Sequence, residues 1–227
     1  MYYGFITVRS NSTRLPGKCF LKFGSGSVLE YVISRCKYFN IEPIVCTTNS
    51  EDDDLIIAIC KKLKVKFYRG SSKNKLKRWK DCCDFYNLKY FHTIDCDDLL
   101  FCPILVKKSI DTLINKSQFD IIYPNKDSSS YGSGQVGYSF TKNAINKICK
   151  RIPINQDTEM IEPYIENNKH LKKYQLRNPI KNNIKSRMTL DYFEDYLYFC
   201  KLLTKLSTHP SREEIFKCLV KHPDLTN

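Results

Sequence analysis

A basic loop near the amino terminus carries the residue types best suited to chemistry on a phosphate group. The segment from Arg9 to Lys18 (RSNSTRLPGK) combines three cations with several hydroxyl groups and a Pro-Gly turn. Backbone N–H groups in such a loop cradle phosphate oxygens. Arg14 can bind an oxyanion through two parallel hydrogen bonds, whereas Lys18 supplies a point charge. Because the glycines fit neither the Walker loop nor the dinucleotide fingerprint, an ordinary polar surface loop is the alternative.

A second group of candidate residues is acidic. Asp95, Asp97 and Asp98 follow one apolar run, and Asp191 follows another much further along the chain. Carboxylates at the ends of two strands can converge on one hard cation, and Mg²⁺ prefers carboxylate, phosphate and water oxygens. An aspartate after a strand is also a common turn or cap residue, and this alternative is strongest for Asp98. Asp95 and Asp98 are secondary metal candidates.

The elements that must position these groups alternate along the chain. Period-two apolar runs predict strands, and apolar residues at helical spacing predict helices. The predicted strands cover 3–8, 42–47, 65–68, 89–93, 120–123 and 185–190. The predicted helices include 28–36, 55–63, 76–86, 103–115, 142–150, 159–167 and 192–205. This alternation predicts a mostly parallel sheet covered on both faces, with ligands beyond the carboxyl ends of its strands.

Length and composition predict one α/β domain over residues 1–227. Apolar residues make up 42% and charged residues 27% of the chain, without an apolar stretch long enough to span a membrane. The amino terminus lacks the pattern of a signal peptide. We therefore expect a cytoplasmic protein without a membrane partner, whose eleven cysteines serve as small core residues in a reducing compartment. The formal charge of +13 favours a polyanionic partner, either a nucleoside triphosphate or a nucleic acid.

The basic loop resembles the opening of the CMP-ketodeoxyoctonate synthetase type of cytidylyltransferase, especially relatives that act in spore-coat polysaccharide synthesis. The family pattern is close to Ala-Arg-x-x-Ser-x-Arg-Leu-Pro-x-Lys. This chain has Val8 in place of the alanine, and it then matches at Arg9, Ser12, Arg14, Leu15, Pro16 and Lys18.

The resemblance recurs over roughly residues 4–200. Four further segments are similar to the family: Thr47-Thr48-Asn49 with Glu51-Asp52-Asp53, Arg69-Gly70-Ser71 with Leu76, Arg78 and Trp79, Asp95-Cys96-Asp97-Asp98-Leu99, and Thr189-Leu190-Asp191 with Glu194-Asp195. In the third segment, Cys96 stands where the family usually has glycine.

The resemblance implies a three-layer α/β/α, Rossmann-like nucleotidyltransferase fold of the GT-A-like kind. It implies transfer of CMP from CTP to a small acceptor, with Mg²⁺ as cofactor and a homodimer as the assembly. It also implies a substrate-loop and dimerisation subregion at about 125–185. Asp97 and Asp191 would hold the metal, and Arg14, Lys18 and Asp97 would be catalytic. The residues implied for nucleotide binding are Arg9, Ser10, Asn11, Ser12, Arg14, Lys18, Thr47, Arg69, Ser71, Arg78 and Asp95.

The acceptor side departs from the family. Relatives often carry Gly-x-Asp-x-Glu where this chain has Gly-Ser-Gly-Gln-Val-Gly-Tyr at 132–138, so two acidic positions have become Gln135 and Gly137. The predicted acceptor-binding residues are Gln135, Tyr138, Glu159, Lys185 and Arg187. Fewer acids and several nearby cations predict an anionic acceptor, such as a sugar acid or a phosphorylated or phosphonate metabolite, activated for a surface glycan or capsule.

Three alternatives have a basis in the same residues. Asp95-x-Asp97 fits the metal motif of a nucleotide-sugar-using glycosyltransferase, although the basic loop after the first strand argues against it. A nucleotidyltransferase that uses another nucleoside triphosphate shares the same loop. A basic RNA-binding module is favoured by the charge and by 13% aromatic residues. Acidic strand ends would repel RNA phosphates, so nucleic acid is not the expected partner.

Overall fold

The structure, a computed structural model, describes residues 1–124, 136–177 and 187–225. Nine strands are present in these ranges. They are β1 (Tyr3–Thr7), β2 (Lys22–Phe23), β3 (Gly26–Ser27), β4 (Glu42–Thr48), β5 (Lys66–Gly70), β6 (Tyr90–Asp95), β7 (Ile121–Pro124), β8 (Ser139–Thr141) and β9 (Lys173–Leu176). Seven of them form one sheet in the order β5-β4-β1-β6-β8-β7-β9, while β2 and β3 pair as a separate short hairpin.

Eight α-helices surround the sheet within the same ranges. They are α1 (Val28–Tyr38), α2 (Asp54–Lys62), α3 (Lys75–Phe85), α4 (Pro103–Asn115), α5 (Lys142–Cys149), α6 (Glu162–Glu166), α7 (Phe193–Leu203) and α8 (Arg212–Lys221). Capping residues mark where several of these helices begin. Ser27 and Glu30 form a reciprocal capping box on α1, and the side chains of Asn74, Thr141 and Ser211 cap later helices.

The sheet is parallel around its centre. β1 pairs in parallel with both β4 and β6, and β4 pairs in parallel with β5, whereas β8 runs antiparallel to β6 and β7. The carboxyl ends of β5, β4, β1 and β6 consequently meet at one edge. The predicted phosphate loop leaves β1 at this edge and the acidic run leaves β6 beside it.

Two hydrophobic cores cover the two faces of the sheet. On one face Val32 of α1 packs in the same cluster as Phe199 of α7 and Ile215 of α8. On the other face Leu76 and Trp79 of α3 pack with Ile145 of α5. Apolar side chains that alternate along β1 serve both cores, because successive residues of a strand point to opposite faces. The predicted α/β/α layering is confirmed.

The structure corrects the prediction of a strand at 185–190. Its described part, residues 187–190, is not a strand. Met188 and Leu190 alternate and are both buried, which imitates the pattern of a strand. Leu190 instead donates its backbone N–H to the carbonyl of Asp97 at 3.0 Å, so the segment is fastened to the loop after β6.

Smaller differences from the prediction concern one helix and three short strands. The helix predicted at 159–167 is a single short helix, α6, with a proline in its first turn. The hairpin of β2 and β3 and the strand β9 were not predicted, because they are short and have weak patterns. The limits of the predicted substrate subregion fall on 125–135 and 178–186, which lie outside the described residues.

Two composition-based predictions can be compared with the described ranges. All eleven cysteines are free, and nine of them are buried, as expected for small core residues. Within these ranges, helices with the length and apolarity needed to cross a bilayer are absent.

Candidate active site

The loop after β1 is anchored at its start by Asp53. Ser10 donates its backbone N–H and its hydroxyl to Asp53 Oδ1 at 2.8 and 2.7 Å. The other carboxylate oxygen accepts the hydroxyls of Thr47 and Thr48 and the backbone N–H of Thr48. One carboxylate therefore ties the phosphate loop to the end of the neighbouring strand β4. Gly17 closes the loop with a φ of 68°, in the left-handed region that favours glycine.

Asp53 was not among the predicted site residues. It is 1% exposed, and in the sequence it belonged to a segment that resembles the family but had no assigned role. Burial by itself raises the pKa of a carboxyl. The hydrogen bonds from Ser10, Thr48 and Thr47 outweigh burial and hold the pKa of Asp53 below its usual value. The carboxylate is therefore ionised at neutral pH and able to hold the loop.

Lys18 lies between two carboxylates from distant parts of the chain. Its Nζ donates to Asp97 Oδ2 at 2.6 Å and to the carbonyl of Leu190 at 2.7 Å, and it lies 3.5 Å from Asp191 Oδ1. Burial lowers the pKa of the ammonium, but Asp97 and Asp191 more than compensate, so the pKa lies above its usual value. Lys18 stays charged and joins the loop after β1 to the ends of β6 and of the segment before α7.

Asp191 forms ion pairs with two further cations. Arg14 Nη2 lies 2.5 Å from Asp191 Oδ1, and Arg187 Nη2 lies 2.7 Å from Asp191 Oδ2. The Asp195 carboxylate accepts the backbone N–H groups of Asp191 and Tyr192 at 2.9 and 2.8 Å, which fixes the start of α7. The four residues that the functional prediction depends on, Arg14, Lys18, Asp97 and Asp191, are thus in one cluster.

The acidic run after β6 is a compact cluster of carboxylates. One side-chain oxygen from each of Asp95, Asp97 and Asp98 lies within 4.8 Å of the others. Burial raises the pKa of Asp97 despite Lys18, and burial together with the neighbouring carboxylates raises the pKa of Asp98 well above its usual value. A bound cation would relieve both effects, and three hard oxygen donors suit Mg²⁺. The residues present therefore fit the metal that the resemblance implies.

The predicted metal ligands, Asp97 and Asp191, are arranged differently from the three aspartates of this cluster. Asp97 and Asp191 converge on the ammonium of Lys18 and belong to one site, as predicted. Asp95 and Asp98, the secondary candidates, lie closest to Asp97. Asp97 is common to both candidate ligand sets, and the assignment of Asp191 as a ligand stays a prediction.

A cavity of about 360 Å³ opens at this edge of the sheet. Its lining includes eight predicted site residues: Arg9, Ser12, Arg14, Lys18, Arg78, Asp95, Asp97 and Glu159. Ser10 and Asn11 line a smaller recess of about 160 Å³, together with Arg9 and residues at the end of β4. The loop therefore lies between two concave surfaces, of which the larger holds the acidic cluster.

Comparisons with known proteins agree with this site geometry. A model of the family described as Cytidylyltransferase matches residues 4–210. The chain belongs to the cytidylyltransferase family. The spore coat polysaccharide biosynthesis protein SpsF of Bacillus subtilis is 26% identical over 243 residues, covering 96% of this chain and 94% of that protein.

Solved structures give the same assignment. A cytidylyltransferase from Leptospira borgpetersenii superposes with a TM-score of 0.88 at 27% identity, covering all of this chain and 97% of that one. A CMP-2-keto-3-deoxy-manno-octonic acid synthetase complexed with CTP superposes with a TM-score of 0.67 at 11% identity, covering 90% and 99% of the two chains. The latter likeness concerns the fold alone. The resemblance to cytidylyltransferases of this type is therefore confirmed.

Three residues that were predicted to bind the nucleotide make hydrogen bonds to other residues of this cytidylyltransferase. Thr47 is buried and bonded to Asp53. Arg69 donates to the carbonyls of Thr48 and Ser50 and contacts Asp54 at 2.7 Å. The Ser71 carbonyl accepts Arg78 Nη1 at 2.8 Å. The three residues shape the ends of β4 and β5 in this state, and their contact with a nucleotide stays a prediction.

The residues predicted to bind the acceptor lie in different parts of the molecule. Glu159 lines the cavity and lies 3.5 Å from Arg9 Nη1. Arg187 lies on the other side, against Asp191 and Asp195. Tyr138 is half-buried, and burial raises its pKa to about 12. Gln135 and Lys185 lie outside the described residues.

The far end of the cavity contains a cation that was not predicted. Lys75, at the start of α3, lies 3.0 Å from Asp95 and over the ring of Trp79. Beside it, Arg78 is almost fully buried, and its Nε has no hydrogen-bond partner among the described residues. In the sequence Lys75 belongs to a lysine-rich stretch that reads as a solvated helix face, so local pattern gives no signal for its burial.

Proposed function

We propose that the protein is a Mg²⁺-dependent cytidylyltransferase that transfers CMP from CTP to a small anionic acceptor, with release of pyrophosphate. The observation that supports this most directly is the meeting of Lys18 with Asp97 and Asp191, next to Arg14. Arg14, Lys18 and Asp97 also line one cavity. Such an arrangement combines cations for a polyphosphate with carboxylates for its metal.

The reaction is an in-line displacement at the α-phosphorus. An acceptor oxygen forms the new P–O bond while the bond to the β-phosphate oxygen breaks, and pyrophosphate carries away the electron pair. Arg14 and Lys18 would bind the departing pyrophosphate and stabilise the charge that builds on it. When bound by Asp97 with Asp191 or with Asp95 and Asp98, Mg²⁺ supplies further neutralisation of the phosphoryl oxygens. An acceptor that is already an anion at its attacking oxygen needs little help from a base.

The charge of the cavity supports an anionic ligand. Its lining cations outnumber its lining carboxylates, with Arg9, Arg14, Lys18, Lys75 and Arg78 against Asp95, Asp97 and Glu159. Magnesium-bound CTP is itself an anion and would neutralise this excess. The proposal of an anionic acceptor therefore rests on the replacement of two acidic positions of the family by Gln135 and Gly137. The role in spore coat polysaccharide synthesis named for the Bacillus relative supports a surface glycan or capsule as the destination.

The match to the cytidylyltransferase family supports CTP as the nucleotide. Selection of a pyrimidine follows when buried polar groups would be left unpaired by the wrong base. The buried Nε of Arg78, which has no hydrogen-bond partner among the described residues, offers one such group. A homodimer and a cytoplasmic location are part of the same proposal.

The test is a pyrophosphate-release screen. Each nucleoside triphosphate is offered with Mg²⁺ and a panel of sugar acids, phosphonates, phospho-amino acids and polyol phosphates. We expect release with CTP and an acidic acceptor, and a loss of at least about 100-fold in the Asp97→Asn variant. Release that ignores the base would change the nucleotide assignment. Turnover of nucleotide sugars without pyrophosphate would instead favour the glycosyltransferase alternative, and equal turnover of neutral alcohols would exclude an anionic acceptor.

A further inference from the structure

Lys75 occupies a position that ordinarily disfavours a lysine. It is the first residue of α3, where the positive end of the helix dipole repels a cation. Its side chain is 8% exposed, so the ammonium is also largely removed from water. Both features cost free energy. The Asp95 carboxylate compensates for this cost in the described structure.

The contacts of the Lys75 ammonium are few. Among the described residues, it has one carboxylate partner, Asp95 Oδ1 at 3.0 Å, and one ring, that of Trp79, at 5.2 Å from the centroid. Lys18 by comparison reaches two carboxylates and a carbonyl. An ammonium has three N–H donors. Because Lys75 lines the cavity, its remaining donors are available to a ligand there.

The Lys75 ammonium and a bound cation would share one carboxylate, that of Asp95. Its partner Asp95 is much less enclosed than the lysine, with a side chain 43% exposed. A cation that entered the acidic cluster would compete with the ammonium for this carboxylate.

The position of Lys75 relative to Lys18 indicates what the ligand is. Lys18 precedes Cys19, in the core on one face of the sheet, and Lys75 precedes Leu76, in the core on the other face. Each ammonium contacts a carboxylate of the same acidic cluster. A phosphate bound at this cluster would therefore be within reach of both lysines. Lys18 shares Asp191 with Arg14, whereas Lys75 lies over Trp79.

We propose that Lys75 is a second phosphate-binding lysine of the site, which leaves Asp95 for a non-bridging oxygen of the nucleotide's phosphate chain when the metal-bound nucleotide enters. The inference rests on the proposed function. It assigns Asp95 a double role: it holds Lys75 in the nucleotide-free protein and releases it as the acidic cluster takes up a cation. The ring of Trp79 beside the ammonium is itself held in place, because its indole N–H donates to Thr7 Oγ1 at 2.9 Å.

The test is calorimetric binding of CTP with Mg²⁺ and, separately, of cytidine. The Lys75→Met variant removes the charge and keeps the length, and Lys75→Arg restores a cation. Lys80→Met is the matched control, because Lys80 lies on the same helix and pairs with Asp84 at 2.8 Å outside the cavity. We expect Lys75→Met to weaken CTP binding by about 10- to 100-fold and to leave cytidine binding unchanged. Lys75→Arg should recover most of the affinity, and Lys80→Met should bind like the parent protein.

Each outcome bears on the inference. Equal CTP affinity in the parent and in a folded Lys75→Met variant would overturn it. So would a variant with normal CTP binding and a raised KM for the acceptor alone, because the lysine would then serve the acceptor. Weaker binding of both CTP and cytidine would indicate a damaged cavity and would also overturn it. A parent protein that does not bind CTP at all would instead defeat the proposed function on which the inference rests.

Discussion

Two lysines, Lys18 partly buried and Lys75 buried, contact the same acidic cluster and differ in how they are held. Lys18 comes from an irregular loop, and its ammonium reaches Asp97, Asp191 and the carbonyl of Leu190. Lys75 comes from the first turn of a helix, and its described contacts are one carboxylate and one ring. Lys18 joins three segments that are distant in the sequence, whereas the Lys75 ammonium keeps N–H donors for a ligand.

The difference indicates a division of labour. A cation that satisfies several buried partners cannot be removed without leaving those partners unpaired, so Lys18 should matter for folding as well as for chemistry. A cation with one half-exposed partner should matter mainly for what enters the cavity. The predictions below test this division, and they begin with the largest effect.

The Lys18→Met variant should lose both stability and activity. Removal of the ammonium leaves the carboxylates of Asp97 and Asp191 without their shared partner, and breaking a buried pair costs about 3 kcal/mol or more. Loss of one preorganised charge at a phosphoryl group should lower kcat by about 100- to 1,000-fold. Urea unfolding and pyrophosphate release measure the two effects.

Lys201→Met is the matched control for this variant. Lys201 pairs with Asp224 at 3.1 Å with both side chains more than half exposed. An exposed pair of this kind contributes little, so the free energy of unfolding should change by less than about 0.5 kcal/mol. A Lys18→Met variant as stable as Lys201→Met would remove the structural half of the comparison.

The Asp53→Asn variant should weaken the anchor of the loop that carries Lys18. The amide places N–H groups against the donors of Ser10 or Thr48, which should cost about 2 kcal/mol of stability. The pKa of Asp53 is lowered by folding, so its contribution is present above the unfolded value near 4 and is lost as the pH falls through the folded value. CTP affinity should fall by about tenfold, because the loop is no longer fixed.

Asp52→Asn provides the comparison, since Asp52 is exposed and adjacent in sequence. It should keep nearly the stability of the parent protein in urea unfolding at pH 7. If Asp53→Asn bound CTP and unfolded like Asp52→Asn, the hydrogen bonds seen at Asp53 would not be what holds the loop.

The last prediction concerns strand β6 itself and not the ion pairs at its end. His92 of β6 is fully buried, with its Nδ1 at 2.7 Å from Ser139 Oγ, and burial lowers its pKa to about 3. Below the unfolded value near 6.5, the unfolded chain binds a proton that the folded protein refuses. Between about pH 6.5 and pH 3 this residue should therefore reduce the free energy of unfolding by about 1.4 kcal/mol per pH unit as the pH falls.

Urea unfolding at pH 7, 6 and 5 measures that slope. His92→Gln should flatten it, whereas His170→Gln, at an exposed position, should retain it. Both Lys18 and Lys75 have raised pKa values and stay charged over this range, so they contribute nothing to it. A slope that survived in His92→Gln would mean that other groups govern the acid sensitivity of the protein.

The sequence by itself determined the alternating architecture and the main reactive groups. Apolar periodicity is a local property, so it correctly predicted β1, β4, β6 and helix α4, whose limits at Pro103–Asn115 agree with the prediction. The composition of the loop from Arg9 to Lys18 and the acids after β6 were enough to predict a phosphate site with a metal. The same local rule failed at 185–190, where alternating buried residues belong to a segment held by the loop after β6.

Only the tertiary structure decided which charges meet. The ion pair of Lys18 with Asp191, the anchoring of Ser10 by Asp53 and the burial of Lys75 against Asp95 each join segments from different strands and helices. Periodicity carries information about the face on which a side chain lies, but the partner of a charge depends on how loop ends converge at the edge of the sheet. A lysine in a lysine-rich stretch therefore looks solvated in the sequence, and it becomes part of a phosphate site only when the sheet is assembled.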